Sequence, residues 1–179
     1  IKRPHSCTRR RSKGSIRAPA ARRATVSTSS SMSSGAVIAA SGCPSISCAS
    51  YPYMRVADRF QVDSAGTHDF HVGKPPFPLA MQQAKLRGYD LTHMIARRVR
   101  GDDFDNFDVI LGMSREHVSS LSQIAPTRCK HKIELFLDYG EKFHGKDVPD
   151  PYGGQPKDFD LVLDMVEDGC RGLAELLVR

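Results

Sequence analysis

The chain has 179 residues, of which 40% are hydrophobic and none is Trp, and it carries a formal net charge of +6. That length fits one domain of ordinary size with room for a tail. No apolar run approaches the ~18 residues that a membrane-spanning helix needs, and the odd, sparse set Cys7, Cys43, Cys48, Cys129 and Cys170 contains no CxxC pair and no Cys/His spacing suited to zinc. Such usage argues against a disulfide framework and for a reducing compartment.

Charge divides the chain. No Asp or Glu precedes Asp58, whereas Lys2, Arg3, Arg9, Arg10, Arg11, Lys13, Arg17, Arg22, Arg23 and Arg55 all do. From Asp58 onward acidic residues outnumber basic ones, so a basic segment precedes a mildly acidic domain. Residues 1–57 are rich in Ser, Arg and Ala, a composition that buries too little apolar area to offset ordering entropy. They are expected to be largely disordered, with Ala36–Ala40 (AVIAA) as the one short run that could form a strand. An organelle transit peptide, a basic arm for nucleic acid and a segment without function all fit this composition. The chain opens on Ile1 rather than Met, which reads as a fragment, a processed form or an open-ended gene model.

The second segment, residues 58–179, is read as the folded domain. Phe60–Thr67 (FQVDSAGT) alternates apolar and polar residues and predicts a strand. Lys74–Ala80 is a Pro-rich loop, with Pro78 placed for the first turn of a helix that runs to Arg87 and stops at Gly88. Val109–Leu111 is a short apolar run of the kind found in parallel strands covered on both faces. Ser114 is the expected cap of a helix from Arg115 to about Ile124, and Lys132–Leu137 (KIELFL) the next strand. In the last segment Phe159, Val162, Leu163, Val166, Cys170, Leu173, Leu176 and Leu177 recur at helical steps, with Asp158 as candidate cap. Alternating strands and helices predict an α/β domain with a small parallel sheet flanked by helices on both sides, a three-layer arrangement. Ligands of such sheets bind beyond the carboxyl ends of the strands, so Thr67, Met113–Ser114 and Asp138–Asp150 should share one rim.

Val62–Thr67 (VDSAGT), Asp90–Leu91 with Ala96–Arg97, Asp103–Met113, Lys132–Phe136 (KIELF) and Pro149–Gly154 (PDPYGG), followed by the long last helix, together resemble the low-molecular-weight protein tyrosine phosphatases. The resemblance implies the phosphotyrosine protein phosphatase I-like fold. It also implies hydrolysis of phosphotyrosine proteins or small aryl phosphates through a phosphocysteine intermediate. It makes Asp150 the general acid, Tyr152 a ring at the mouth of the substrate pocket, Ser64 a support of the phosphate loop and Arg97 a structural residue. It implies no metal or other cofactor, a cytoplasmic monomer, and no membrane or nucleic-acid partner.

The family's nucleophile loop has the pattern C-x5-R at a helix N-terminus, where backbone N–H groups lower the thiol pKa and cradle phosphate. It should precede VDSAGT by roughly thirty residues, by the resemblance. Six residues after Cys7, Cys43, Cys48, Cys129 and Cys170 stand Lys13, Ala49, Met54, Leu135 and Leu176, so no Cys meets the pattern and the nucleophile is unassigned. Phe77 and Leu79 stand where an Asp and an Arg are usual, Ser114 where an Asp is common, and Gly153 where a second pocket aromatic is expected. The domain is therefore read as incomplete, with a gap where the family's central strand would lie. Neither Cys129 nor Cys170 has the Arg that catalysis would need, and the seven His are read as solvated. A phosphatase-family chain inactive as written leads these readings; a non-catalytic phosphoprotein-binding module and a basic-tailed nucleic-acid binder are the alternatives.

Overall fold

The structure, a computed structural model, describes residues 22–28 and 60–178. In chain order the elements are β1 (Arg22–Thr28), β2 (Phe60–Gly66), α1 (Pro78–Leu86), the one-turn α2 (Asp103–Asn106), β3 (Val109–Gly112), α3 (Arg115–Ile124), β4 (Ile133–Leu135) and α4 (Pro156–Val178). The four strands form one sheet in the order β2-β1-β3-β4, with every pairing parallel.

β1 corrects the expectation of a gap. It fills the space between β2 and β3, with Val26 opposite Ser64 on one side and Leu111 on the other. The sheet therefore has its inner strand, drawn from a segment that composition marked as unstructured. The strand candidate Ala36–Ala40 and the rest of residues 1–57 lie outside the described residues.

Residues along β3 alternate between two cores, as the period of a strand requires. Leu111 faces Met113, Phe136, Leu137, Val148, Val162, Met165 and Val166, the core under α4. Ile110 faces Ala65, Val99, Phe104, Phe107, Leu121, Ala125 and Cys129, the core under α2 and α3. Helices thus cover both faces of a small parallel sheet, the three-layer α/β architecture that the sequence predicts.

Local chemistry fixes the boundaries. Pro78 opens α1, and Gly88 at φ 87° follows its C-cap residue Arg87. Ser114 caps α3 by accepting the His117 N–H. β4 is shorter than KIELFL suggests: Thr127–Lys132 and Phe136–Asp138 are 3-10 turns on either side of it. Phe136 and Leu137, both buried, lie in the second of these turns rather than in the strand. α4 begins at Pro156, so Asp158 lies inside its first turn rather than at the cap. From there its carboxylate accepts the Gln155 N–H at 2.8 Å, the reaching-back half of a capping box.

Two features lock α4 in place. Arg87 at the end of α1 donates to the Asp164 carboxylate at 2.7 Å, to Glu167 at 3.2 Å and to the Asp160 carbonyl at 3.0 Å. Gly169 and Gly172 lie where α4 crosses the Phe136 ring and the Tyr139 carbonyl, so closely that neither position has room for a Cβ.

Candidate active site

Backbone hydrogen bonds tie loop segments to the carboxyl ends of β2 and β3. The Gly66 N–H at the end of β2 donates to the Arg97 carbonyl at 2.8 Å, and the Val99 N–H returns to the Gly66 carbonyl at 3.0 Å. Beyond β3, the Met113 carbonyl accepts the Val148 N–H at 2.8 Å. Arg115 in the first turn of α3 donates to the Asp147 carboxylate at 2.9 Å and to the Gly145 carbonyl at 2.6 Å. The segment leading to Asp150 is therefore fastened to the rim at the end of β3. β1 runs parallel to its neighbours, so Thr28, opposite Gly66, brings the chain out at the same rim.

Asp150 is exposed, and its carboxylate accepts the Tyr152 N–H at 3.0 Å, closing a turn over the buried Pro151. Gly153 at φ 76° continues the turn, and the Gly154 N–H donates to the Pro151 carbonyl at 2.9 Å. Tyr152 is 55% exposed and meets the rings of Phe77 at 5.3 Å and His71 at 6.5 Å. Ser64 lies within β2, half-buried, its N–H donating to the Asp63 carboxylate at 2.7 Å.

Arg97 bridges β2 and α2, donating to Asp63 at 2.9 Å and to the buried Asp103 at 2.8 Å. Burial works against its charge, but hydrogen bonds to Asp103 and Asp63 outweigh that and raise its pKa. This is a scaffold role, holding the rim between β2 and α2.

His117 was read from the sequence as solvated, and the structure corrects this: only 8% of it is exposed. Its Nδ1 lies 3.1 Å from the Ser114 hydroxyl oxygen. Burial holds its pKa below the ordinary 6.5, against the opposing pull of Glu116, Asp150 and Asp147; His68 reinforces the lowering. The signal available in the sequence was its spacing, three residues after a Ser at a helix cap, which turns the side chain back toward the cap. The unfolded chain binds a proton at His117 more readily than the folded one. Its contribution to stability is therefore complete above pH 6.5 and is lost as pH falls through that value toward the lower folded pKa. His117→Asn is expected to shrink the drop in urea midpoint between pH 7 and pH 5; an unchanged drop would remove His117 from the account.

The two thiols described here do not suit nucleophilic work. Cys129 is buried, its Sγ 3.7 Å from the Asp105 carboxylate, and burial with the nearby Glu167 charge pushes Cys170 up to about 12. Among the described residues no cluster of three or more His, Cys, Asp and Glu could hold a metal ion, and no helix is long and apolar enough to cross a membrane.

Comparison with known proteins gives this rim its context. Residues 50–179 match the family described as low molecular weight phosphotyrosine protein phosphatase. A putative low molecular weight protein-tyrosine-phosphatase of Synechocystis is 39% identical over 112 residues, 62% of this chain and 71% of that protein. The low molecular weight phosphotyrosine protein phosphatase of Gallus gallus is 33% identical, with 68% of this chain and 77% of that protein covered. Among solved structures, a protein tyrosine phosphatase from Entamoeba histolytica superposes with a TM-score of 0.73 at 28% identity, covering 88% of this chain and 97% of that one. YfkJ from Bacillus subtilis superposes with a TM-score of 0.67 at 25% identity, covering 90% and 97%. The chain belongs to the low molecular weight phosphotyrosine protein phosphatase family.

Proposed function

We propose that the rim formed by Asp150, Tyr152 and the ends of β2 and β3 is the leaving-group side of a protein tyrosine phosphatase site, and that the chain as written lacks the nucleophile side. In the reaction of such a site a Cys thiolate attacks phosphorus, the bond from phosphorus to the aryl oxygen breaks, and Asp150 gives its proton to the departing oxygen. Water, deprotonated by the Asp150 carboxylate, then attacks the phosphocysteine, releasing phosphate and restoring the thiolate. Tyr152 offers a flat apolar wall for the substrate ring. Phosphotyrosine proteins and small aryl phosphates fit this arrangement. The general acid and the ring wall come from one short segment of one chain, which suits a monomer, and the free thiols Cys129 and Cys170 suit a reducing compartment such as the cytoplasm.

The observation that carries the reading is the fastening of the Asp150 segment to the end of β3 through Val148 and Met113, at the rim where the chain leaves β1. The missing half is a matter of sequence: no Cys here has an Arg six residues later. Without a placed thiolate and guanidinium, Asp150 has no attacked phosphoryl group to assist. The unmodified chain is expected to hydrolyse p-nitrophenyl phosphate no faster than a blank. Vanadate-sensitive turnover would overturn this and point to Cys48 and Arg55 as an unrecognised loop. A second reading is a binding module without turnover; the missing Arg argues against it, and saturable binding of a phosphotyrosine peptide by the unmodified chain would support it.

A further inference from the structure

The loop that carries Asp150 and Tyr152 is fastened upstream through Val148 and buried at Pro151, and its tip is exposed. Asp150, Tyr152, Gly153 and Gly154 are exposed, and Gly153 and Gly154 bring no side chain that could anchor it. What it meets is Phe77. Pro75, Pro76 and Pro78 surround this residue, and a proline both fixes its own φ and restricts the residue before it. Phe77 accordingly sits at φ −60° and ψ 134°, just ahead of α1. Its ring stacks on Phe159, 6.1 Å between centroids and 14° from parallel. Phe159 is in turn buried in the first turns of α4. The Phe77 ring also meets Tyr152 at 5.3 Å, tilted by 58°, within the favoured range for an aromatic pair. His71 reaches the same Tyr152 ring at 6.5 Å and 50°.

We propose that Phe77 is the positioning residue of this loop: clamped on Phe159, its ring holds Tyr152, and through the Tyr152 N–H bond to the Asp150 carboxylate it sets where Asp150 stands at the rim. The role deepens the phosphatase reading and rests on it for its catalytic consequence, while the clamp can be measured without turnover. The tilted contact with a pinned ring gives the exposed Tyr152, beside two glycines, an aromatic support next to His71.

The chain has no Trp, so Tyr152→Trp in the full chain supplies a single fluorescent reporter at the loop. Its acrylamide quenching and steady-state anisotropy are compared with Phe77 intact and replaced. Phe77→Ala is expected to raise the quenching constant about twofold and lower the anisotropy, since one face of the reporter loses its support. Phe77→Tyr, which keeps the ring, should restore both. Phe77→Leu, which keeps most of the volume but not the ring, should behave like Ala and serves if the Ala variant does not fold. Val166→Ala, a core truncation in α4 away from the loop, controls for general loosening and should leave the reporter unchanged. Equal quenching in the Leu variant and its parent, or an equal rise with Val166→Ala, would overturn the clamp. A loose reporter in the Phe77 variants of a protein whose Asp150 proved irrelevant to catalysis would keep the clamp and remove the phosphatase reading.

Discussion

Gly172→Ala is expected to destabilise the fold by about 3 kcal/mol or more, the upper range for overpacking a well-filled site. A Cβ at Gly172 would run into the carbonyl oxygen of Tyr139, and a backbone atom cannot step aside as a side chain can. Relief requires α4 to lift from the turn at Phe136–Asp138, which separates Val162, Met165 and Val166 from Phe136 and Leu137 in the core under that helix. Gly101→Ala is the matched control: no atom lies within 4 Å of its Cβ, so the change should be nearly neutral. Urea denaturation of the two variants makes the comparison. A Gly172→Ala midpoint equal to that of Gly101→Ala would mean that α4 and the turn are not packed as described.

Restoring the nucleophile side is expected to produce the largest change in activity. β1 already occupies the sheet between β2 and β3 and ends at the rim, so a family-type C-x5-R loop and its following helix can be grafted directly after Thr28. The graft should acquire vanadate-sensitive hydrolysis of aryl phosphates with a bell-shaped pH profile. In that background Asp150→Asn should lower turnover by roughly 10²- to 10⁴-fold, the usual worth of a placed general acid. Binding of vanadate should be largely spared, because the Cys and Arg hold the oxyanion.

How much of this the sequence makes legible depends on how each residue is held. β3, α1, α3 and α4 announce themselves because their signals are local. Val109–Leu111 is a compact apolar run, Pro78 and Gly88 bracket α1, Ser114 caps α3, and α4 repeats its apolar face for several turns. β1 gives no such signal. An inner parallel strand normally reads as a near-continuous apolar run, whereas RRATVST offers only Ala24 and Val26 among Arg, Thr and Ser. Its place follows from pairing on both sides, which is a tertiary fact. Asp150 and Tyr152 stand out as a motif, but Phe77 enters only as an oddity. Its partners Phe159 and Tyr152 lie far along the chain and come together only when α1 packs on α4. His117 was hidden for the opposite reason: a lone His looks solvated until the helix that buries it is in place.

The assignment of Asp150 is tested most directly by the dependence of kcat/KM on the leaving group, measured in the grafted enzyme over a series of substituted phenyl phosphates. The ratio reports all steps up to loss of the phenol, the step in which Asp150 is proposed to act. With Asp150 in place the proton compensates for a basic leaving group, so kcat/KM should vary little as the phenol becomes less acidic. With Asp150→Asn the departing oxygen leaves as a bare phenolate, and kcat/KM should fall steeply along the same series. Parallel, equally shallow lines for the two enzymes would contradict the account: the proton would then come from elsewhere, and Asp150 would be only the carboxylate that closes the turn above Pro151.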